Sequence, residues 1–283
     1  MDVRFYNDLA TFDAIVRPFL LRNEAENNVM LGVLRRRLAA LRNGVQLDVE
    51  PPLLCIIANG GDVVGAAIQT PPYGLNLTQL CPDASDALVE ALSSRSVMLN
   101  GVHGPSELAA SFASVWTTRH GLTITLHKPL FLYKLNTLLP FALPPGTAEL
   151  ATPKEADLLL AWELALDEEL GLIVRIDKTD LLDKVAAGTI FVWRTDVAVA
   201  TAGFRAASDT AARVVGVYVP PEHRRSGYAT ALVGAISEHL LQRGYRDIFL
   251  FTDAEDVGPN IVYTRLGYER MGEFTDFRFS TRR

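Results

Sequence analysis

The stretch from Arg213 to Thr252 restricts the possible folds more than any other part of the chain. Arg213–Val219 is a short run of strand-forming residues, and Pro220-Pro221 end it because proline cannot extend a ladder. Tyr228–Arg243 then places Ala229, Leu232, Val233, Ile236 and Leu240 on one helical stripe, with Thr230, Ser237, Glu238 and Gln242 elsewhere and Gly244 as terminator. Asp247–Thr252 is a second strand-forming run. Two strands bridged by a helix are normally parallel, and a ligand then sits beyond their C-terminal ends, where the helix N-terminus also points. Gly227 permits a tight turn there, and small Ala229 lets a ligand approach the first helical turn. Four backbone N–H groups without helical partners, at the positive end of the helix dipole, form a site for a phosphate or pyrophosphate.

A similar layout occurs elsewhere. Leu53–Ala58 and Val63–Thr70 are joined by Asn59-Gly60-Gly61-Asp62, a strong hairpin signal, and Ile190–Trp193 and Val197–Gly203 repeat that layout around Arg194-Thr195-Asp196. Ser106–Thr118 carries Leu108, Ala109, Phe112, Val115 and Trp116 at helical spacing. Pro140, Pro144, Pro145 and Gly146 break all periodicity between Thr137 and Ala148. With 283 residues, two domains are expected: 1–137, a linker at 138–148, and 149–283.

The formal net charge of -6 argues against nucleic acid, which needs clustered excess cations, and suits a cationic amine-bearing substrate. Asn23–Arg37 reads as a helix whose terminal arginines complement its dipole. Cys55 and Cys81 fit neither a disulfide framework nor a metal or redox spacing; both are expected to be buried thiols, and no metal is expected. Met1–Phe12 has no basic-then-apolar pattern of a signal peptide, and no segment has the length of a membrane span, so a cytoplasmic protein without membrane contacts is expected.

The turn reads Arg224-Arg225-Ser226-Gly227-Tyr228-Ala229-Thr230, in which Arg224, Gly227 and Ala229 fill the pattern Gln/Arg-x-x-Gly-x-Gly/Ala. It resembles the cofactor loop of the GNAT N-acetyltransferase superfamily. The resemblance implies a fold class of α+β type, with a mixed, mostly antiparallel sheet and flanking helices of the acyl-CoA N-acyltransferase kind. It also implies that backbone amides from Arg225 to Thr230 (Arg225, Ser226, Gly227, Tyr228, Ala229, Thr230) hold the pyrophosphate of acetyl-CoA, the cosubstrate. Val217, Tyr218 and Val219 would pair with its pantetheine arm, and an N–H near Val219 would meet the oxyanion.

A second segment, Asn260-Ile261-Val262-Tyr263-Thr264-Arg265-Leu266-Gly267-Tyr268, looks like the family's Tyr-x-x-x-Gly-Phe/Tyr. It implies Tyr263 as general acid for the departing thiolate, a role open to a phenol; packing on the sheet is the structural alternative. The sequence departs from the pattern at Arg225, where the family often has glycine. It departs again at Asn260, three residues before Tyr263, whereas many relatives place an asparagine about seven before, where Asp256 stands. Asn260 therefore either contacts the pantetheine arm or caps a helix over 260–266.

Removal of the ammonium proton needs a base. Glu163, Asp167, Glu168 and Glu169 are candidates, with a solvated helical face as the alternative for each. Asp253 either faces the cleft or caps a turn, and His223 reads as an incidental loop histidine. The first half has no Arg-x-x-Gly-x-Ala, so no cofactor is expected there; its hairpin, late helix and strands over Thr123–Leu135 follow the element order of a degenerate copy of the same fold, in tandem. The expected activity is acetyl transfer from acetyl-CoA to a primary amine of a small molecule, peptide or protein. The alternatives are a noncatalytic acyl-CoA sensor or a transferase of a larger acyl group.

Overall fold

The computed structural model describes residues 1–45, 50–171 and 177–281. Two compact units emerge: one comprises Met1–Leu132, Phe251–Asp256 and the end of the chain from Arg270, the other Tyr133–Leu250 and Val257–Glu269.

The first unit contains β1 (Asp2–Tyr6), α1 (Leu9–Leu20), α2 (Glu24–Arg42), β2 (Leu53–Asn59), β3 (Asp62–Gln69), β4 (Leu75–Leu77), α3 (Pro82–Ser94), β5 (Gly101–Pro105) and α4 (Ser106–His120). Strand β6 (Leu122–Leu135) follows, and most of the last strand, β12 (Tyr268–Thr281), belongs here too. Strands β1 to β4 form an antiparallel meander, β4 and β5 are parallel, and β5 pairs antiparallel with β12. The hairpin between β2 and β3 turns on Gly60 and Gly61, at φ +58 and +101, conformations that side-chain-bearing residues avoid. Its core gathers Leu88, Val102, Phe112 and Trp116.

Three expectations about particular side chains need correction. Cys81 is exposed rather than buried, because it precedes Pro82 at the start of α3 and stays outside the packed face. The helix expected over 23–37 continues to Arg42, so Arg35–Arg37 do not sit at its end, and Arg37 is only 6% exposed. Ser237, assigned to the polar side of its helix, is fully buried because its hydroxyl has polar partners inside, described below.

The second unit contains β7 (Thr147–Leu150), α5 (Ala156–Glu169), α6 (Lys178–Ala186), β8 (Ile190–Arg194), β9 (Ala198–Ala206), β10 (Ala211–Tyr218), α7 (Tyr228–Gln242), the first residues of β11 (Asp247–Asp253), and α8 (Val257–Arg265). Strands β7 to β10 are antiparallel, and β10 runs parallel to β11. Successive side chains of a strand point to opposite faces. Val192 of β8 joins Leu159, Leu181 and Val185 of α5 and α6, whereas its neighbour Phe191 meets His239 of α7 edge-on at 5.1 Å. Helices therefore cover both faces of this sheet, with α7 opposite the α5–α6 pair.

The stretch 138–148, expected to be a linker, packs within this unit: Leu139 N–H donates to Leu266 O, Trp193 Nε1 donates to Pro145 O, and the Phe141 ring fills the space left by Gly234 of α7. The apolar stripe of α7 is buried as its spacing requires, with Leu232, Val233, Ile236 and Leu240 at zero exposure. Gly244, at φ +90, follows its end. The mixed, mostly antiparallel sheet and flanking helices are those expected.

Candidate functional site

Strand β10 ends irregularly. Val215 faces Gly203 and Tyr218 faces Thr201, so three steps on β10 match two on β9; Gly216 takes φ +63 within this bulge. On its other side β10 pairs with β11 only over Ala211–Arg213, so it runs five residues past its last parallel pair. Val217, Tyr218 and Val219 lie at this end, beyond the last pair with β11.

Pro220 begins a single 3-10 turn, Pro221–His223, closed by the His223 N–H on Pro220 O at 2.9 Å. Arg224 is extended, Arg225 takes φ +62, and Gly227 takes φ +83 immediately before α7. Arg224 to Gly227 are exposed, and Tyr228, Ala229 and Thr230 are half-buried. Among the described residues no side chain caps α7, no acid stands in its first turn, and the Ala231 N–H bonds Gly227 O. The first amides of α7 thus have no side-chain partner among the described residues. Arg225 stands where related loops often have glycine, and its left-handed backbone is the conformation that glycine adopts at least cost.

Arg224 turns its side chain back onto the protein. Nε donates to Val219 O at 2.9 Å, Nη2 pairs with Glu169 Oε1 at 2.6 Å, and the guanidinium lies 5.9 Å from the Tyr218 ring centre. The hydrogen bond it donates to Glu169 raises its pKa further. Glu169, one of the four candidate bases, is thus engaged by the loop.

Tyr263 of α8 is buried, with the Tyr133 ring at 6.3 Å and the Tyr268 ring at 6.1 Å. Asn260 accepts from the Tyr133 hydroxyl at 3.1 Å. Because α8 begins at Val257, Asn260 is inside the helix and not its cap. Burial raises the Tyr268 phenol pKa, opposed by the Ser237 hydroxyl at 2.8 Å. Asp253 caps its own turn by accepting from the Glu255 N–H at 2.9 Å, and also pairs with Lys128 at 3.6 Å. His223 sits in the 3-10 turn.

Within the same unit, a cavity of about 230 Å³ is bounded by α5, α6 and the strands β8–β10. Trp162, Leu166 and Tyr218 supply apolar walls, and the bulge residue Gly216 lies at its edge. Glu163 and Lys184 meet there at 3.1 Å, with side chains 30% and 28% exposed. Burial lowers the Lys184 pKa, while Glu163 opposes that shift. Asp167 and the exposed Arg205 also line the cavity; Glu168 is exposed and does not. Sequence reasoning named Glu163 but missed Lys184, Arg205 and Trp162. The three lie on different elements, Trp162 on α5, Lys184 on α6 and Arg205 on β9, and Lys184 and Glu163 are 21 positions apart.

Residues 155–268 match the model of the Acetyltransferase (GNAT) family. Over 57 residues the chain is 39% identical to the mycothiol acetyltransferase of Kocuria rhizophila, a match spanning 20% of this chain and 19% of that protein. The fold is similar to the X-ray structure of a Drosophila protein, with a TM-score of 0.73 at 12% identity over 98% of each chain. A GCN5-related N-acetyltransferase from Sphaerobacter thermophilus matches with a TM-score of 0.59 at 17% identity, over 98% of this chain and 95% of that one. A tandem GNAT protein from the clavulanic acid biosynthesis pathway matches with a TM-score of 0.59 at 14% identity, over 99% and 98%. These likenesses extend the fold to both halves of the chain. The bulged strand, the glycine turn and the uncapped helix thus lie within the stretch, residues 155–268, that matches the model of the acetyltransferase (GNAT) family.

Proposed function

We propose that the protein transfers an acetyl group from acetyl-CoA to a primary amine within a ternary complex, as a cytoplasmic enzyme. The observation that carries this reading is the exposed, uncapped turn Arg224–Gly227 at the end of a strand that parts from its parallel partner after Arg213. Amides from Arg225 to Thr230 hold the pyrophosphate, and the free edge of Val217–Val219 aligns the pantetheine arm. Acetyl-CoA supplies the activated acyl thioester when bound. Tyr263 donates the proton that stabilises the leaving thiolate, with its phenol held by packing against Tyr133 and Tyr268.

Titration calorimetry with acetyl-CoA tests the site. Gly227→Val should weaken binding about tenfold or more, because a β-branched residue is severely disfavoured at φ +83. Absence of heat from the unaltered protein at millimolar acetyl-CoA sinks the reading. Tyr263→Phe should lower kcat about 100-fold, at the low end of general acid catalysis, and leave acetyl-CoA affinity unchanged. Equal turnover would remove the proposed acid.

A further inference from the structure

We propose that the acceptor is a zwitterion, a primary amine that also carries a carboxylate, received by the Glu163–Lys184 pair in the cavity of the second unit. The inference rests on the acetyl-transfer reading above. The pair lies in a small, mainly apolar space whose edge is the bulge of β10, the strand end assigned to the pantetheine arm.

Three kinds of acceptor place different demands on this pair. An apolar amine carrying a single ammonium would compete with Lys184 for Glu163, leaving a half-buried lysine without its hydrogen-bonded anion and with only the field of Asp180 in its place, which is costly. A neutral acceptor would leave the pair closed and give the amine no proton acceptor. A zwitterion satisfies both members, its ammonium at Glu163 and its carboxylate at Lys184, with Arg205 as a second cation on the same cavity. Burial disfavours the charged form of Lys184, so a second anion beside it is welcome. At about 230 Å³ the cavity is smaller than the roughly 300–1,000 Å³ of pockets for drug-sized ligands, which suits a single amino acid with an apolar side chain against Trp162 and Leu166.

The transfer balances without an added reagent. The ammonium gives one proton to the Glu163 carboxylate, the amine nitrogen bonds the acyl carbon as the carbon–sulfur bond breaks, the thiolate takes a proton from Tyr263, and the second proton lost from the nitrogen restores that phenol, while Glu163 returns its own to solvent.

Matched acceptors test the proposal: leucine against 3-methylbutylamine, and phenylalanine against phenethylamine, each with acetyl-CoA. The amino acid of each pair should have the higher kcat/KM, by about 10- to 100-fold, the range expected for a charge-assisted contact. Lys184→Met should erase that preference by raising KM for the amino acid, while acetyl-CoA affinity stays as it was. A preference for the bare amines overturns the proposal, as does loss of both activities in equal measure. No turnover of either member while acetyl-CoA binds overturns it too, and leaves acetyl transfer to some other acceptor standing. Should the variant fail to fold, leucine titrated into the unaltered protein decides the matter: binding heat supports the proposal, and none at millimolar concentration ends it. Failure of acetyl-CoA itself to bind would instead end the reading on which this one rests.

Discussion

Each unit drives a strand into a helix, and the two junctions differ. In the first unit β5 ends at Pro105 and α4 starts at Ser106 with nothing between them. In the second, residues 219–227 separate β10 from α7. Strand β5 is paired with β12 through Pro105, and His103 bridges to Asp276 opposite it at 2.5 Å. Strand β10 instead leaves its parallel partner after Arg213. The start of α4 carries Glu107 and receives the Thr275 hydroxyl on Ser106 Oγ at 2.9 Å, so the chain itself supplies acid and polar contact to the positive end. The start of α7 carries neither. A strand–helix junction becomes an anion site only where a turn exposes the first amides and the chain withholds its own acid.

The largest test of this difference is to give α7 what α4 has. Ser226→Asp puts a carboxylate beside the exposed amides, where it should raise stability by about 0.3–1 kcal/mol through the helix dipole. The same charge should repel a pyrophosphate and weaken acetyl-CoA binding at least about tenfold. Opposite signs in denaturant titration and calorimetry are the expected result; unchanged affinity would show that the ligand's phosphates lie elsewhere. Glu107→Gln in α4 should lower stability by about 0.3–1 kcal/mol and leave acetyl-CoA affinity untouched.

The helices also differ in how they are fixed. On α4, Phe112 and Trp116 stack at 5.8 Å, and the indole N–H of Trp116 has no hydrogen-bond partner among the described residues. On α7, the fully buried Ser237 meets the Tyr268 hydroxyl at 2.8 Å and donates to Val233 O at 2.7 Å or to that phenol. Removing the phenol in Tyr268→Phe should cost about 1–2 kcal/mol, because the serine keeps only one of its two buried partners. Urea denaturation measures it. A loss near zero would mean that the Ser237–Tyr268 contact adds nothing to the apolar packing of α7.

What the sequence revealed was local. The glycine turn of the β2–β3 hairpin, the stripe of α7 and the turn Arg224–Thr230 are each set by neighbours within a few positions, and these proved legible. The pairing of Glu163 with Lys184, the bond from Tyr133 to Asn260 and the burial of Ser237 against Tyr268 join residues 21, 127 and 31 positions apart. No periodicity encodes such partners; they follow from which helix faces which strand. Ser237 shows the mechanism of the error, since a hydroxyl that satisfies itself inside a helix and across to a phenol is as acceptable in a core as an apolar side chain. Cys81 shows the converse, an apolar thiol left exposed by its place before a helix-starting proline.

The smallest test concerns the residue that departs from the family pattern at the turn. Arg225 holds φ +62, where a side chain costs about 1 kcal/mol relative to glycine. Glycine gains freedom in the unfolded chain, which offsets part of that relief. Arg225→Gly should therefore raise stability by about 0.5 kcal/mol, visible as a small increase in the urea midpoint. If backbone amides alone grip the phosphates, acetyl-CoA affinity should stay within about threefold of its original value, less than 1 kcal/mol. A loss beyond tenfold, with the stability gain intact, would show that the guanidinium adds a direct charge contact, a feature for which the α4 junction has no counterpart.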